Sequence, residues 1–345
     1  MFANLVRRSL IALPAICSAW AILLPTAGIA EETKAPEFAD GPWVSDVLWI
    51  APDRLVATQS QGLPLRPATV VTLDAATPSK FQVAGEAEKS LWSVVAIDAQ
   101  HFIVSDYGGS VYAVQDGKAA KFDLKARWIR ALAISADKRV LAGAEDGKLI
   151  ELDLEKKTQS RSIDAHASAI MSITFSHSGD KLATTASNGS IKIFNWPALD
   201  QTAELKAGDA VWSALFSADD TQLITAGSER TIDLWNLATN ERALSIAACS
   251  DWVSSLVALP GSSLIVAGGM DGNVTVVDYG MMHSVARAKV AESGIWSMAL
   301  SPDASRLAVG TRKNGVSIID VADWKQAAET AAIEMKKIGP PSPKP

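Results

Sequence analysis

Cysteine and histidine are scarce in this chain of 345 residues, which has two cysteines and four histidines. Cys17 lies in an apolar amino-terminal stretch that we expect to be removed, so only Cys249 would remain and no internal disulfide could form. The histidines stand at isolated positions without metal-ligand spacing: His101, His166, His177 and His283. The sequence also lacks a haem-attachment motif, a phosphate-cradling glycine loop and a nucleophile elbow. We therefore predict no cofactor, no metal and no locally encoded catalytic motif.

Clustered basic residues are also missing. The formal net charge is −6, and removal of Arg7 and Arg8 with the first thirty residues, which hold no acidic residue, would change it to −8. Because nucleic-acid phosphates require grouped Lys and Arg, an acidic chain without such groups is not expected to bind DNA or RNA.

The long apolar run, Leu10 to Leu24, is confined to the amino terminus and follows the basic pair Arg7-Arg8. Gly28 and Ala30 supply the small residues of a cleavage site, so residues 1–30 have the layout of a signal peptide cut near Ala30-Glu31. The run is shorter than the roughly 20 residues of a spanning helix. We predict a secreted or periplasmic protein without a membrane span in the mature chain, exported by either the general or the twin-arginine route.

The positive feature of the sequence is a repeated dipeptide, an apolar residue followed by Asp, Asn or Gln. It occurs as Leu73-Asp74, Val114-Gln115, Leu152-Asp153, Phe194-Asn195, Trp235-Asn236, Val277-Asp278 and Ile319-Asp320. Successive copies are 41, 38, 42, 41, 42 and 42 residues apart. A period of about 40–45 residues is typical of propellers whose blades contain four strands.

Each unit begins with an aliphatic residue, here called the anchor. The anchors are Val44, Leu91, Ile129, Ile170, Val211, Val253 and Ile295. Later in the unit, Asx-Gly pairs such as Asp146-Gly147 and Asn188-Gly189 favour tight hairpins. The pattern predicts an all-β fold, a seven-bladed β-propeller of four-stranded antiparallel blades.

Three motifs make residues 37–323 resemble the WD-repeat β-propeller family, as an exported bacterial member. Trp235-Asn236 stands for the Trp-Asp ending, Ser301-Pro302-Asp303 for the turn, and Ala165-His166 for the Gly-His pair. The resemblance implies a His-Asp-Trp hydrogen-bond network inside blades. Few units carry the His, Asp and Trp residues of that network, so we expect the blades to be stabilised mainly by apolar packing.

The two ends of the repeat suggest how the ring closes. Residues 37–39 form an outer-strand pattern without a blade of their own, and the last unit lacks an outer strand, so we expect these segments to pair. After Asp323 the apolar period becomes helical, which predicts an amphipathic helix over 324–338 followed by a Pro-rich tail over 339–345. We expect the helix to pack on the propeller, with docking of a partner as the alternative.

Tryptophans flank six of the seven anchors. Trp43, Trp128 and Trp252 precede an anchor, whereas Trp92, Trp212 and Trp296 follow one. Residues on either side of one strand position point the same way, so the six indoles should form a circle near the channel mouth. The resemblance implies that residues after the anchor line a peptide-binding pocket, where Arg130 and Met171 join the tryptophans. These eight residues are our candidate binding site; packing between blades is the alternative.

The sequence therefore predicts a non-enzymatic scaffold or adaptor that binds a protein or peptide on the channel face, as a monomer or within a hetero-complex. Two alternatives stay open. One is a hydrolase or lyase with a dispersed site at the channel mouth, and the other is an accessory subunit of an exported redox enzyme. Carboxylates and histidines at the mouth would favour chemistry, whereas a tryptophan-lined pocket would favour binding.

Overall fold

Seven antiparallel sheets follow one another along the chain in the computed structural model, which describes residues 41–61, 66–124, 126, 128–281, 283–324 and 326. The first three blades contain β1 (Trp43–Ala51), β2 (Arg54–Ser60), β3 (Ala68–Asp74) and β4 (Thr77–Ala87); β5 (Leu91–Ala96), β6 (Phe102–Asp106), β7 (Val111–Gln115) and β8 (Lys118–Lys121); and β9 (Ile129–Ile134), β10 (Val140–Ala144), β11 (Lys148–Asp153) and β12 (Thr158–Asp164).

The other four blades contain β13 (Ile170–Phe175), β14 (Lys181–Ala186), β15 (Ser190–Asn195) and β16 (Gln201–Lys206); β17 (Val211–Phe216), β18 (Gln222–Gly227), β19 (Thr231–Asn236) and β20 (Glu241–Ala247); β21 (Val253–Ala258), β22 (Leu264–Gly269), β23 (Asn273–Asp278) and β24 (His283–Lys289); and β25 (Ile295–Leu300), β26 (Arg306–Thr311) and β27 (Val316–Asp320). Strands pair in chain order within every sheet. The seven-bladed propeller predicted from the repeat is confirmed.

The repeated sequence positions have constant places in the blades. Six anchors are the first residue of the first strand, and Val44 is the second residue of β1. The repeated dipeptide ends the third strand of all seven blades. Strands two and three of the first six blades are largely buried on both faces, which explains their nearly continuous apolar sequence. The third strand of the last blade is only partly buried, and the fourth strands are largely exposed and polar.

The hydrophobic core consists of seven clusters, each shared by two adjacent blades. The cluster that closes the ring joins Val44, Val47 and Leu55 of the first blade to Ala308 of the last. Seven blades in an open arc would share only six such interfaces. The seventh cluster therefore shows that apolar packing of the first blade on the last closes the circle.

Side chains two positions after the anchor form a hydrogen-bonded belt between blades. Ser213 accepts from the amide of Leu256 at 3.2 Å, and Ser255 accepts from that of Met298 at 3.1 Å. Ser297 continues the belt across the closing interface to the amide of Val47 at 3.3 Å. In the first blade Asp46 takes the same position and accepts from the amide of Val94 at 2.9 Å. The belt thus runs unbroken over four consecutive interfaces.

The predicted ends are described only in part. Gly41 donates its amide proton to the carbonyl of Lys313, so the chain enters the first blade beside the last one. The closing strand at 37–39, the signal peptide at 1–30 and the tail at 339–345 lie outside the described residues. Residues 322–324 and 326 are helical, and Trp324 is buried in the cluster between the last two blades. The rest of the helix predicted over 324–338 is outside the described residues.

Two blades contain pieces of the hydrogen-bond network implied by the family resemblance. In the fourth blade the His166 ring nitrogens lie 2.7 Å from Thr184 Oγ1 and 3.2 Å from Ser190 Oγ. In the fifth, the Trp235 indole donates to Thr225 Oγ1 at 2.8 Å. Burial lowers the pKa of His166 from 6.5 to about 4, with a smaller contribution from the charge of Lys192.

We expect removal of Ser297 to weaken the closing interface more than removal of Ser213 weakens an ordinary one. The Ser297 hydroxyl donates to the Asp46 carboxylate at 2.7 Å as well as accepting from Val47, whereas Ser213 makes the belt contact alone. Ser297→Ala should lower the free energy of unfolding by about 2 kcal/mol and Ser213→Ala by about 1 kcal/mol. Urea denaturation of both variants measures this; equal losses would contradict a special role for the closing contact.

We also expect His166 to make folding pH-dependent. Its folded-state pKa is below its unfolded value, so the unfolded chain binds the extra proton between pH 6.5 and about 4. Neutral, buried His166 therefore contributes about 2–3 kcal/mol to the free energy of unfolding above pH 6.5. This contribution is lost as the pH falls from 6.5 toward about 4. Unfolding measured from pH 7 to 4.5 should show a smaller acid loss for His166→Gln than for the unaltered protein. Parallel profiles would contradict this assignment.

Candidate functional site

A β-bulge follows the anchor in the first strand of every blade. In the fifth blade Val211 pairs with Gly227 and Ser213 with Ala226, so Trp212 is the extra residue. The same shift occurs in the other first strands. A bulge bends its strand and redirects the unpaired side chain. Seven bulges at equivalent places therefore direct seven sets of side chains toward one channel mouth.

These side chains surround a cavity of about 160 Å³, here called the channel cavity. It is lined by Ser45, Asp46, Trp92, Ser93, Arg130, Met171, Trp212, Ser254, Ser255, Trp296 and Ser297. All seven blades contribute, and each contributes from its first strand. The predicted residues Trp92, Arg130, Met171, Trp212 and Trp296 are among them. Trp43, Trp128 and Trp252 lie in the aromatic cluster beside the cavity.

The aromatic cluster is continuous, and we call it the tryptophan face. Trp296 is at its centre, with ring centroids 5.4 Å from Trp43, 5.5 Å from Trp92 and 6.4 Å from Trp212. Trp252 stacks on Trp212 at 5.9 Å. Most pairs are tilted or edge-to-face, the arrangements favoured by the aromatic quadrupole. The structure thus brings together all six tryptophans selected from the sequence.

Exposure divides the six indoles into packing and surface groups. Trp43 is only 6% exposed, whereas Trp128 and Trp252 are 43% and 47% exposed. Trp92, Trp212 and Trp296 are intermediate and line the channel cavity. Trp43 therefore packs between blades, whereas Trp128 and Trp252 present rings to the surface; that these rings bind a ligand stays a prediction.

Tyr107 is a seventh member of the tryptophan face that sequence reasoning missed. Its ring lies 4.9 Å from Trp92, 5.9 Å from Trp43 and 6.3 Å from Trp128. Burial raises its pKa above the ordinary value, with a smaller opposing effect of Arg130. Tyr107 follows the second strand, far in sequence from any anchor. Asp106 pairs with the anchor Leu91, and the amide of Tyr107 donates to the carbonyl of Ser90, a strand pairing that no local sequence pattern marks.

Arg130 is held flat against this aromatic surface. Its guanidinium carbon lies 5.3 Å from the Trp92 ring centroid and 5.5 Å from that of Trp128. Its Nε and Nη2 both donate to Glu145 at 3.1 Å. The stacking is a cation–π arrangement, and the carboxylate balances the positive charge. Arg130 therefore stiffens the face without making it strongly positive.

Asp46 was also missed, because it lies two positions after the anchor, whereas the candidates were chosen from positions directly beside it; Ser45 is the residue directly after the anchor. The structure places both in the cavity wall. The Asp46 carboxylate accepts four hydrogen bonds, from Ser93, Ser297 and the amides of Val47 and Val94, at 2.7–3.0 Å. Burial raises the pKa of Asp46, and the four hydrogen bonds oppose this rise, that from Val94 most strongly.

The channel cavity holds a single carboxylate, Asp46, and no histidine among its lining residues. No group of three potential metal ligands occurs in the part of the chain that the structure describes. The Cys249 thiol is partly buried, and burial raises its pKa to about 11. Over the same described ranges, no helix has the length and hydropathy needed to cross a bilayer. The arrangement is suited to binding through aromatic surface and hydroxyl groups.

The family model for the WD domain, G-beta repeat, matches residues 157–195, 200–236 and 241–278. Three segments of this chain are therefore similar to WD40 repeats. Each match begins in or near the fourth strand of one blade and ends at the dipeptide of the next, so one repeat straddles two blades. Each sequence repeat thus contributes strands to two neighbouring blades, which also share an apolar core.

Similar proteins point to the same class. The chain is 26% identical over 237 residues to WD repeat-containing protein 90 of Xenopus tropicalis, covering 59% of this chain and 13% of that protein. It is 22% identical over 212 residues to the WD repeat-containing protein 55 homolog of Drosophila willistoni, covering 59% and 41%. It is 26% identical over 204 residues to telomerase protein component 1 of Mus musculus, covering 58% and 8%. The matches thus span less than half of each relative.

Among solved structures, the WD40 propeller domain of Doa1 superimposes with a TM-score of 0.69 at 16% identity, covering 81% of this chain and 93% of that one. At this identity the likeness establishes the fold alone. It agrees with the seven-bladed propeller fold, and the similarity to WD-repeat proteins comes from the three matched segments.

Because the tryptophans differ in exposure, we expect their replacement by alanine to destabilise the protein to different extents. Trp43→Ala should lower the free energy of unfolding by about 3–5 kcal/mol, because it leaves a cavity between blades. Trp252→Ala should cost less than about 1 kcal/mol, because nearly half of the side chain already faces solvent. Thermal and urea unfolding measure both changes. A similar large loss in both variants would mean that all the indoles are packing residues.

Proposed function

We propose that this WD40 propeller is an exported, non-enzymatic scaffold that binds a protein or peptide on its tryptophan face. The convergence of aromatic rings from six blades around one cavity carries this proposal. Exposed aromatic clusters with polar borders characterise binding hot spots, because they bury much area at small entropic cost. The serine hydroxyls of the cavity can donate hydrogen bonds to a bound backbone or side chain, or accept hydrogen bonds from it.

Export is supported by the sequence pattern of residues 1–30, and the protein-binding role by the likeness to WD-repeat proteins. One relative is named as a protein component of telomerase, but this chain is acidic and its tryptophan face carries one arginine paired with Glu145. That surface offers no grouped positive charge for phosphates. We therefore favour a protein ligand over a nucleic acid.

Asp46 favours a second candidate, an enzyme with a dispersed site at the channel mouth. A carboxyl with a raised pKa beside a cavity is a candidate general acid. Hydrolysis or elimination would also require a base or nucleophile activated nearby, and the cavity lining supplies hydroxyls without a histidine or second carboxylate. A hydrolase and lyase screen in which Asp46→Asn abolished turnover would move the assignment to an enzyme.

Selection of displayed peptides on the purified propeller tests the scaffold role. Peptides that bind should lose affinity about tenfold or more when Trp128 and Trp252 are both replaced by alanine. These residues are exposed, so the double variant should keep its fold. Binding is measured by calorimetry and folding by circular dichroism.

The matched control replaces Phe81 and Val83 with alanine. These side chains are 50% and 48% exposed on β4, an outer strand away from the channel. The selected peptides should bind this variant within about twofold of the unaltered protein. Equal losses in both double variants, or unchanged binding to the tryptophan variant, would reject the tryptophan face as the ligand surface.

A further inference from the structure

The channel cavity is too small for most folded or drug-sized ligands. Its volume of about 160 Å³ is below the roughly 300–1,000 Å³ of small-molecule pockets. It has room for one extended side chain reaching in from a ligand whose main part lies outside. The exposed Trp128 and Trp252 flank the lining residues Trp92 and Trp212, and they provide contact area for that outer part.

The charge of the cavity wall comes from Asp46. All four groups that donate hydrogen bonds to its carboxylate are neutral, namely two serine hydroxyls and two backbone amides. No cationic side chain in the described ranges forms an ion pair with it. Neutral donors orient and stabilise a carboxylate without cancelling its charge. Its field therefore extends into a cavity where screening is weaker than in bulk water.

Arg130 does not offset this field. Its guanidinium is bound through two nitrogens to Glu145, so the net charge of the pair is close to zero. The guanidinium also lies against Trp92 and Trp128. The two charged groups of the lining thus differ: one is balanced by a neighbour, and the other has no counter-ion.

The tryptophans of the cavity wall, like Asp46, favour a cationic ligand group. Trp92, Trp212 and Trp296 line the cavity, and aromatic faces carry negative quadrupole potential. A cation close to such rings and shielded from water gains binding energy that a neutral group of equal shape does not. An anionic group would meet repulsion from Asp46.

We propose that the channel cavity receives one cationic side chain, a lysine or arginine presented by a bound peptide. The inference rests on the proposed function, since it names the residue type that the tryptophan face would select. The ligand is a basic peptide whose backbone lies over Trp128 and Trp252 while its cationic side chain enters between Trp92, Trp212 and Trp296.

Two small probes of equal shape test the cavity itself. n-Butylguanidinium carries the charge of an arginine side chain, and n-butylurea is its neutral counterpart. Titration of the full propeller, followed by the indole N–H resonances, should show about tenfold tighter binding of the cation. Equal affinities in the unaltered protein would overturn the proposal.

Substitution of Asp46 tests where the preference comes from. Asp46→Ser introduces the residue that serves the belt in three other blades, Ser213, Ser255 and Ser297, so the fold should be kept. The preference for the cation should fall to within about threefold. Asp209→Asn, a change of equal charge at an exposed residue before the anchor Val211, should leave the preference intact. A preference retained in Asp46→Ser, or lost equally in Asp209→Asn, would overturn the proposal.

Glu145→Gln provides a test that leaves the belt unchanged. Without the carboxylate, the charge of Arg130 is no longer balanced, and cation binding should weaken by about threefold. Unchanged binding in this variant would count against the electrostatic account even if Asp46→Ser failed to fold. Asp46→Asn serves as a second substitution of the carboxylate, with the same expectation as Asp46→Ser.

The composition of selected peptides separates this inference from the proposed function. Peptides that depend on Trp252 and contain a required lysine or arginine support both. Peptides that depend on Trp252 but tolerate replacement of every basic residue keep the scaffold role and remove the cation subsite. Selection that yields no Trp252-dependent peptide rejects the scaffold role, and the two butyl probes then decide the cavity chemistry independently.

Discussion

Packing between neighbouring blades is the interaction on which the rest of the structure depends. With a single cysteine in the described residues and no metal cluster among them, the fold depends mainly on its seven shared apolar clusters and on hydrogen bonds between strands. Each blade buries its second and third strands between two neighbours, so no blade has a complete core by itself. Closing the circle converts the two unpaired end faces into a seventh interface. That closure then forces seven first strands toward one axis.

Convergence of the first strands makes a site from residues that are distant in sequence. The bulge after each anchor supplies the local geometry, and the ring supplies proximity. Ser297 and Asp46 are 251 positions apart yet hydrogen-bonded. Trp296 and Trp43, separated in the chain by almost the whole propeller, have rings in contact. Neither contact exists unless the last blade meets the first, so the integrity of the site and that of the closure are the same condition.

The sequence was informative where a feature repeats. The dipeptide and the anchor recur once per blade, and repetition averages out local irregularity, so strand order and the position of Trp212 or Trp296 could be predicted. Tyr107 and Asp46 occur once each and have no repeat to mark them. Their roles depend on which side of a bulge a residue falls and which neighbour it meets across a blade boundary. Such information is three-dimensional, and period alone does not encode it.

Asp46 links the mechanical and recognition properties of the channel mouth. At the belt position, where five of the other blades carry serine, the first blade places a carboxylate that contacts its own strand and both adjacent blades. Serine would satisfy the amide of Val94 without the cost of burying a charge. A buried charge with only neutral partners is less stable than it could be, and a bound cation would relieve that cost. The first blade therefore carries a charged belt residue whose energy would depend on a cation in the cavity. Because a ligand that stabilised the carboxylate would also stabilise the contacts it holds, occupation of the proposed cation site and closure of the ring would reinforce each other.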